Sequence, residues 1–146
     1  MSSIQIDGME AFRKLLLALP AKAEKGAHDA LKVCALDLMG KSIDLAPVMW
    51  SDLQGSAYAV VGGSGLVGKG NADTHPETAR GSIPEVYGNL NAIVGFTEPY
   101  ALYQHENLGL RHPEDGQAKY LETPFKANRD KYLKTIGDAI GRELLK

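Results

Sequence analysis

Apolar and polar positions follow three successive rhythms along the 146 residues of this chain. Ile4 and Ile6 alternate with polar neighbours in the manner of a short strand. Asp7 and Glu10 then stand three apart ahead of Phe12 and the leucines at 15–17, an Asp-led capping box that predicts a helix from about residue 8. Pro20 suits the first turn of a second helix, where its missing N–H would have had no partner anyway. From there Ala27, Leu31, Cys34, Leu38 and Leu45 recur at helical spacing, with Lys22, Lys25, Asp29, Lys32 and Lys41 mainly off that stripe. Pro47 ends this long helix, because the residue before a proline is biased away from helical backbone angles.

In the middle of the chain the period shortens. Ala57-Tyr58-Ala59-Val60-Val61 and Asn91-Ala92-Ile93-Val94-Gly95-Phe96 are rich in β-branched and aromatic residues and bounded by Gly, Asn and Pro, so both read as strands. Between them, residues 62–81 hold six glycines, one proline and scarcely any bulky apolar side chain. Such a segment buries too little surface to offset its ordering entropy, and a long flexible hairpin loop is expected there. The helical period then returns: Thr123-Pro124 offers an N-cap followed by proline, and Phe125, Tyr132, Ile136, Ile140 and Leu144 share one face. Gly137 and Gly141, four apart, would permit a close helix contact, though in a soluble helix two glycines more often just lower its stability. The expected fold is α+β in a single domain over 1–146: N-terminal helices including one long helix, a small antiparallel sheet with a long Gly-rich hairpin loop, and a C-terminal helix.

Composition narrows the function classes. Hydrophobic residues make up 44% and charged residues 23%, the balance of an ordinary globular protein. The net charge of −2 gives no field to hold a nucleic-acid backbone or an anionic membrane. Charge is uneven, however: residues 47–110 carry six acids and two bases, and residues 111–146 six acids and eight bases, an asymmetry by which copies could meet head to tail, although one this small is usually just solvated surface. The lone cysteine, Cys34, excludes an internal disulfide, and its place on the helical stripe predicts a buried thiol. No apolar run exceeds that at 15–19, and no basic stretch precedes an apolar one, so neither a signal peptide nor a membrane span is expected.

Candidate chemistry is sparse. Gly63-Ser64-Gly65-Leu66-Val67-Gly68-Lys69 satisfies seven positions of a phosphate-binding loop, and its glycines also match the dinucleotide fingerprint. Gly70 stands where the magnesium-holding Ser or Thr belongs, and Asn71-Ala72-Asp73-Thr74-His75-Pro76 reads as loop instead of the required helix. His28, His75, His105 and His112 lack the spacing of a zinc site, and His28, among Lys and Asp on a helix face, is expected to be solvated. No G-x-S-x-G string is present. Tyr100, Tyr103, Tyr120 and Phe125 cluster with Gln104, His105, Glu106, Arg111 and Lys119, a composition that suits a protein interface or the closing of a core equally.

Several strings resemble, in order, those of one tailed-bacteriophage family. They are Ile6-Asp7-Gly8-Met9-Glu10, Ala46-Pro47-Val48, Leu53-Gln54-Gly55-Ser56, Tyr100-Ala101-Leu102-Tyr103-Gln104-His105-Glu106, and Gly116-Gln117-Ala118-Lys119-Tyr120-Leu121-Glu122-Thr123-Pro124-Phe125. The family is that of the HK ninety-seven gene-ten-like putative tail components, which act as neck or tail-completion proteins. One departure is that Met49-Trp50-Ser51-Asp52-Leu53-Gln54 stands where the family often has Thr-Gly before Leu-Arg. The resemblance implies a structural virion protein at the head–tail junction, assembled in the host bacterial cytoplasm as a homo-oligomeric ring. Its partners would be itself and the neck, head-closure and tail-tube proteins, with DNA able to pass through the lumen without sequence-specific contact. Neither membrane, cofactor nor catalytic residue is implied. The residues expected to serve packing or subunit contact are Tyr100, Tyr103, Gln104, His105, Glu106, Lys119, Tyr120 and Phe125, with Gly62, Gly65, Lys69 and Arg80 in a flexible assembly loop. The alternatives are a tail terminator capping the tail tube and, remotely, a nucleotide-binding enzyme built on residues 63–69.

Overall fold

The computed structural model describes residues 2–5, 21–47, 52–70, 82–109 and 116–146. Four strands form one antiparallel sheet: β1 (Ser2–Gln5), β2 (Ala57–Val61), β3 (Gly65–Lys69) and β4 (Ala92–Phe96), in the spatial order β1-β4-β2-β3. Four helices accompany it: α1 (Ala21–Leu45), α2 (Asp52–Gly55), α3 (Ala101–Glu106) and α4 (Glu122–Leu144). The α+β class and its long and closing helices are thus those expected. Both predicted central strands form, and β1 contains Ile4. The helix expected from about residue 8, together with Pro20 and Arg80, lies outside the described residues.

The core is a sandwich of the sheet, α1 and α4. Register pairs Ala57 with Phe96, Ala59 with Val94 and Val61 with Ala92, and these six residues pack with Leu31, Cys34, Ala35 and Leu38 of α1. Tyr58 and Val60, on the opposite face of β2, are buried too. A strand covered on both sides needs an unbroken apolar run, which is why this one lacks polar alternation. On α1's other flank, the small side chains of Ala23, Ala27 and Ala30 let α4 approach closely. The two helices run antiparallel: a Cβ on Gly26 would lie 2.7 Å from the Ala139 carbonyl oxygen, the Cys34 thiol points at the Tyr132 carbonyl 3.8 Å away, and Lys41 donates to Asn128 Oδ1 at 2.9 Å.

Three expectations are corrected. The stretch expected to open as a long loop after Val61 is instead a packed hairpin through Lys69, with β3 paired to β2 across a bulge after Ala59; residues 71–81 lie outside the described residues. Edge pairing supplies backbone hydrogen bonds that side-chain composition does not reveal. The last helix begins at Glu122, so Thr123 and Pro124 fall inside its first turn, where a missing N–H is tolerated as well as at the cap. Leu144, expected on the shared face, is exposed; Gly137 and Gly141 face open space, which leaves the reading in which they only lower helix stability, and Gly26 is the glycine at the close helix contact.

Candidate functional site

The C-terminus of α1 leaves carbonyls that no further helical turn can satisfy. Gln54 Nε2 donates to the carbonyls of Ile43 at 2.9 Å and Ala46 at 3.3 Å, and the Gln117 N–H donates to Leu45 at 2.9 Å. Gly116 makes this approach possible: its φ is 103°, and a Cβ there would sit 2.5 Å from Pro47 Cα. Ser56 Oγ donates to the Leu53 carbonyl at 2.8 Å and accepts the Glu98 N–H at 3.1 Å, tying α2 to the segment that opens α3. Strings from residues 46–47, 53–56, 98–106 and 116–125 therefore build one corner.

Tyr120 is the centre of that corner. Its ring is fully buried and meets Phe96 and His105 edge-on, each at a centroid distance of 5.0 Å, while its hydroxyl donates to the Ala101 carbonyl at 2.7 Å. His105 is buried beside it. Its Nε2 accepts the Glu122 N–H at 3.1 Å, so the neutral ring carries its proton on Nδ1 and donates it to Glu106 Oε1 at 2.8 Å. Lys119, held in the left-handed region at φ 56°, sends its N–H to the His105 carbonyl at 2.8 Å and its ammonium to both Glu106 and Glu122.

These cations set the local ionisation. Hydrogen bonds from Lys126 and Lys119 hold Glu122 down at about 2, and those from Lys119 and His105 hold Glu106 below the usual carboxylate range. The two carboxylates in turn raise Lys119. Among the described residues, His105, Glu106 and Glu122 bring three possible metal-ligand atoms within 4.8 Å of one another. The Lys119 ammonium already bridges the carboxylates there, and both nitrogens of the imidazole are engaged, so this is a closed ionic knot and not an open coordination site.

Of the residues expected for packing or contact, the structure brings His105, Glu106, Lys119 and Tyr120 together. Tyr100 and Phe125 pack partly buried against the core. Gln104 is half-buried, whereas Tyr103 is 58% exposed, and Leu102 and Leu108 near it in the chain are exposed too. The Gly-rich residues separate from them: Gly62 is buried in the hairpin turn, Gly65 and Lys69 are the exposed ends of β3, and Gly68 lies against Leu36 and Met39. Because residues 65–69 are a strand, with Lys69 paired to Tyr58, they present no loop and helix N-terminus to a phosphate.

One constellation was missed. His28 is not simply solvated: its Nδ1 lies 2.6 Å from the Asn89 carbonyl oxygen and its Nε2 2.8 Å from Ser64 Oγ. Partners 61 and 36 residues away leave no local string to find. Cys34 is buried as expected, and burial pushes its thiol up to about 11. None of the described helices is long and apolar enough to cross a membrane. No family model, curated protein or solved structure matches the chain.

Proposed function

We propose that this protein is a structural subunit at the head–tail junction of a long-tailed phage, a neck or tail-completion protein that assembles with copies of itself into a ring. One observation carries the reading. The strings that resemble the tail-component family from residue 46 onward, though spread to residue 125, meet in the single corner around Tyr120. Strings that jointly cap α1, hold α2 and seat α4 have a common physical reason to occur together and in order. That supports a likeness of whole fold instead of a chance run of short matches.

In this reading the buried members of the corner fix its shape, and its outer side supplies contact. Tyr103, Leu102 and Leu108 offer an amphipathic aromatic and two aliphatic side chains to a neighbour. A head-to-tail contact repeated around an axis closes into a ring, and closure stabilises the assembly beyond any one modest interface.

The test is electron microscopy of lysates from a phage lacking the protein, complemented with wild-type or Tyr103→Ala protein. The knockout is expected to give DNA-filled heads and separate tails, wild-type protein to restore joined particles, and Tyr103→Ala to restore fewer while keeping a native circular-dichroism spectrum. Normal numbers of joined, infectious virions without the protein, or empty heads beside normally joined tails, overturn the proposal.

A further inference from the structure

The hairpin turn carries a second arrangement, independent of the assembly reading. The Ser64 N–H closes the turn onto the Val61 carbonyl at 3.0 Å, and Gly63 adopts φ 79°. A Cβ on Gly62 would lie 1.9 Å from the Gly88 carbonyl oxygen, and one on Gly63 2.3 Å from Asn89 Oδ1. The two missing side chains thus let residues 88–89 lie directly against the turn. Asn89 is further tied to α1, its Nδ2 donating to Glu24 Oε1 at 3.3 Å. His28, one turn along α1 from Glu24, reaches into the space between the two segments.

The hydrogen bonds there assign the protons. A backbone carbonyl only accepts, so the 2.6 Å contact with Asn89 places the proton of the neutral imidazole on Nδ1. Nε2 is then a bare acceptor 2.8 Å from Ser64 Oγ, and the hydroxyl donates to it. Hydroxyl, base and orienter stand in the same atomic order as in a serine nucleophile triad, with a main-chain carbonyl in the orienting place. Ser64 is exposed, so an incoming group can reach it.

We propose that Ser64 is a nucleophile activated by His28, able to take the acyl group of an activated carboxylic ester. Oγ attacks the ester carbonyl carbon as its proton passes to Nε2. The Oγ–C bond forms, the C–O bond to the leaving group breaks, and the imidazolium returns the proton to the departing alkoxide. Water, deprotonated by the same Nε2, then cleaves the Ser64 ester, releasing the carboxylic acid and restoring the hydroxyl. A carbonyl dipole steadies the imidazolium less than a carboxylate would, so the site selects esters with good leaving groups, such as aryl esters.

The probe is a fluorophosphonate, which forms a stable adduct with activated serine, applied to the purified full-length chain and followed by intact mass and peptide mapping. One adduct on Ser64 is expected, absent in Ser64→Ala. A general base contributes typically 100-fold or more, so folded His28→Gln is expected to label about 100-fold more slowly. The urea-unfolded wild-type chain is expected to show the same loss, which tests the dependence on His28 placement without relying on a variant that folds. Hydrolysis of p-nitrophenyl acetate is expected to fall in parallel. No preference for Ser64 over other exposed serines, or equal labelling of native, unfolded and His28→Gln chains, overturns the proposal and leaves His28 as a clamp on the turn.

Discussion

Replacing glycine by alanine adds one methyl group, and the structure assigns that change opposite signs at two places in the chain. At Gly116 the methyl would sit 2.5 Å from Pro47 Cα, 2.6 Å from Pro47 N and 2.7 Å from the Ala46 carbonyl oxygen, all backbone atoms that no rotamer change can move. Its φ of 103° also lies where a side chain is strained, at a cost of order 1–3 kcal/mol. Overpacking against backbone adds about 1–3 kcal/mol. A total near 3 kcal/mol, at roughly 2–4 °C for each kcal/mol in a domain of about this size, lowers Tm by about 6–12 °C. At Gly137, inside α4, nothing lies within 4 Å of the added atom. There alanine gains helix propensity of up to about 1 kcal/mol, raising Tm by about 2–4 °C. Thermal unfolding followed by circular dichroism, with urea titration for the free energies, measures both. A Gly116→Ala protein within 1 °C of wild type (on the scale of roughly 2–4 °C per kcal/mol), or a Gly137→Ala protein that melts lower, would refute the account of the corner and of α4.

Three further outcomes are expected. Tyr132 donates to Asp37 Oδ2 at 2.6 Å, and because that carboxylate is 35% exposed and water can replace the hydroxyl, Tyr132→Phe should cost about 1.5 kcal/mol, the low end for a bond to a charged group. A double-mutant cycle with Asp37→Ala checks it, and additivity within about 0.5 kcal/mol contradicts the coupling. Glu122 is held at about 2 when folded against 4.5 ordinarily, so its contribution is fully present above pH 4.5 and is lost as the pH falls toward 2; Glu122→Gln should flatten the Tm–pH curve in that window, and an unchanged slope counts against the ionic knot. Cys34, buried and raised to about 11, should react with a disulfide reagent at pH 8 only as the chain unfolds, and prompt native labelling would contradict its burial.

Where the sequence was legible, the signal was local. The α1 stripe of Ala27, Leu31, Cys34 and Leu38 and the unbroken run of β2 each announce an element whose burial follows from its own period. β3 was hidden because the glycines at 65 and 68 leave Val67 as its one β-branched residue; it forms because β2 offers an open edge. The close helix contact falls at Gly26, which is single and unpatterned, so no repeat such as that of Gly137 and Gly141 announces it. The tyrosine cluster divides residue by residue: Tyr120, just ahead of α4, closes the core, and Tyr103, on α3, is exposed. His28 and Ser64 were invisible as a pair because their meeting depends on that unannounced hairpin.

The structure also changes where an assembly contact should be sought. Uneven charge along the chain leaves two readings, attraction between an acidic middle and a basic end or plain solvated surface. Once folded, bases of the C-terminal segment are already matched to acids: Lys126 with Glu122 at 2.6 Å, Lys134 with Asp138 at 2.7 Å, and Lys119 with Glu106 of the acidic middle. Exposed charges of this kind contribute little and are screened by salt, so the asymmetry draws one copy toward another only weakly. Leu102, Tyr103 and Leu108 have a different character: they are exposed apolar or amphipathic side chains on or just after α3, the helix that carries His105 and Glu106 of the ionic knot. Apolar area that is already ordered costs little entropy to dock. If copies of this chain meet as proposed, these exposed side chains serve the contact better than the charge asymmetry legible in its sequence.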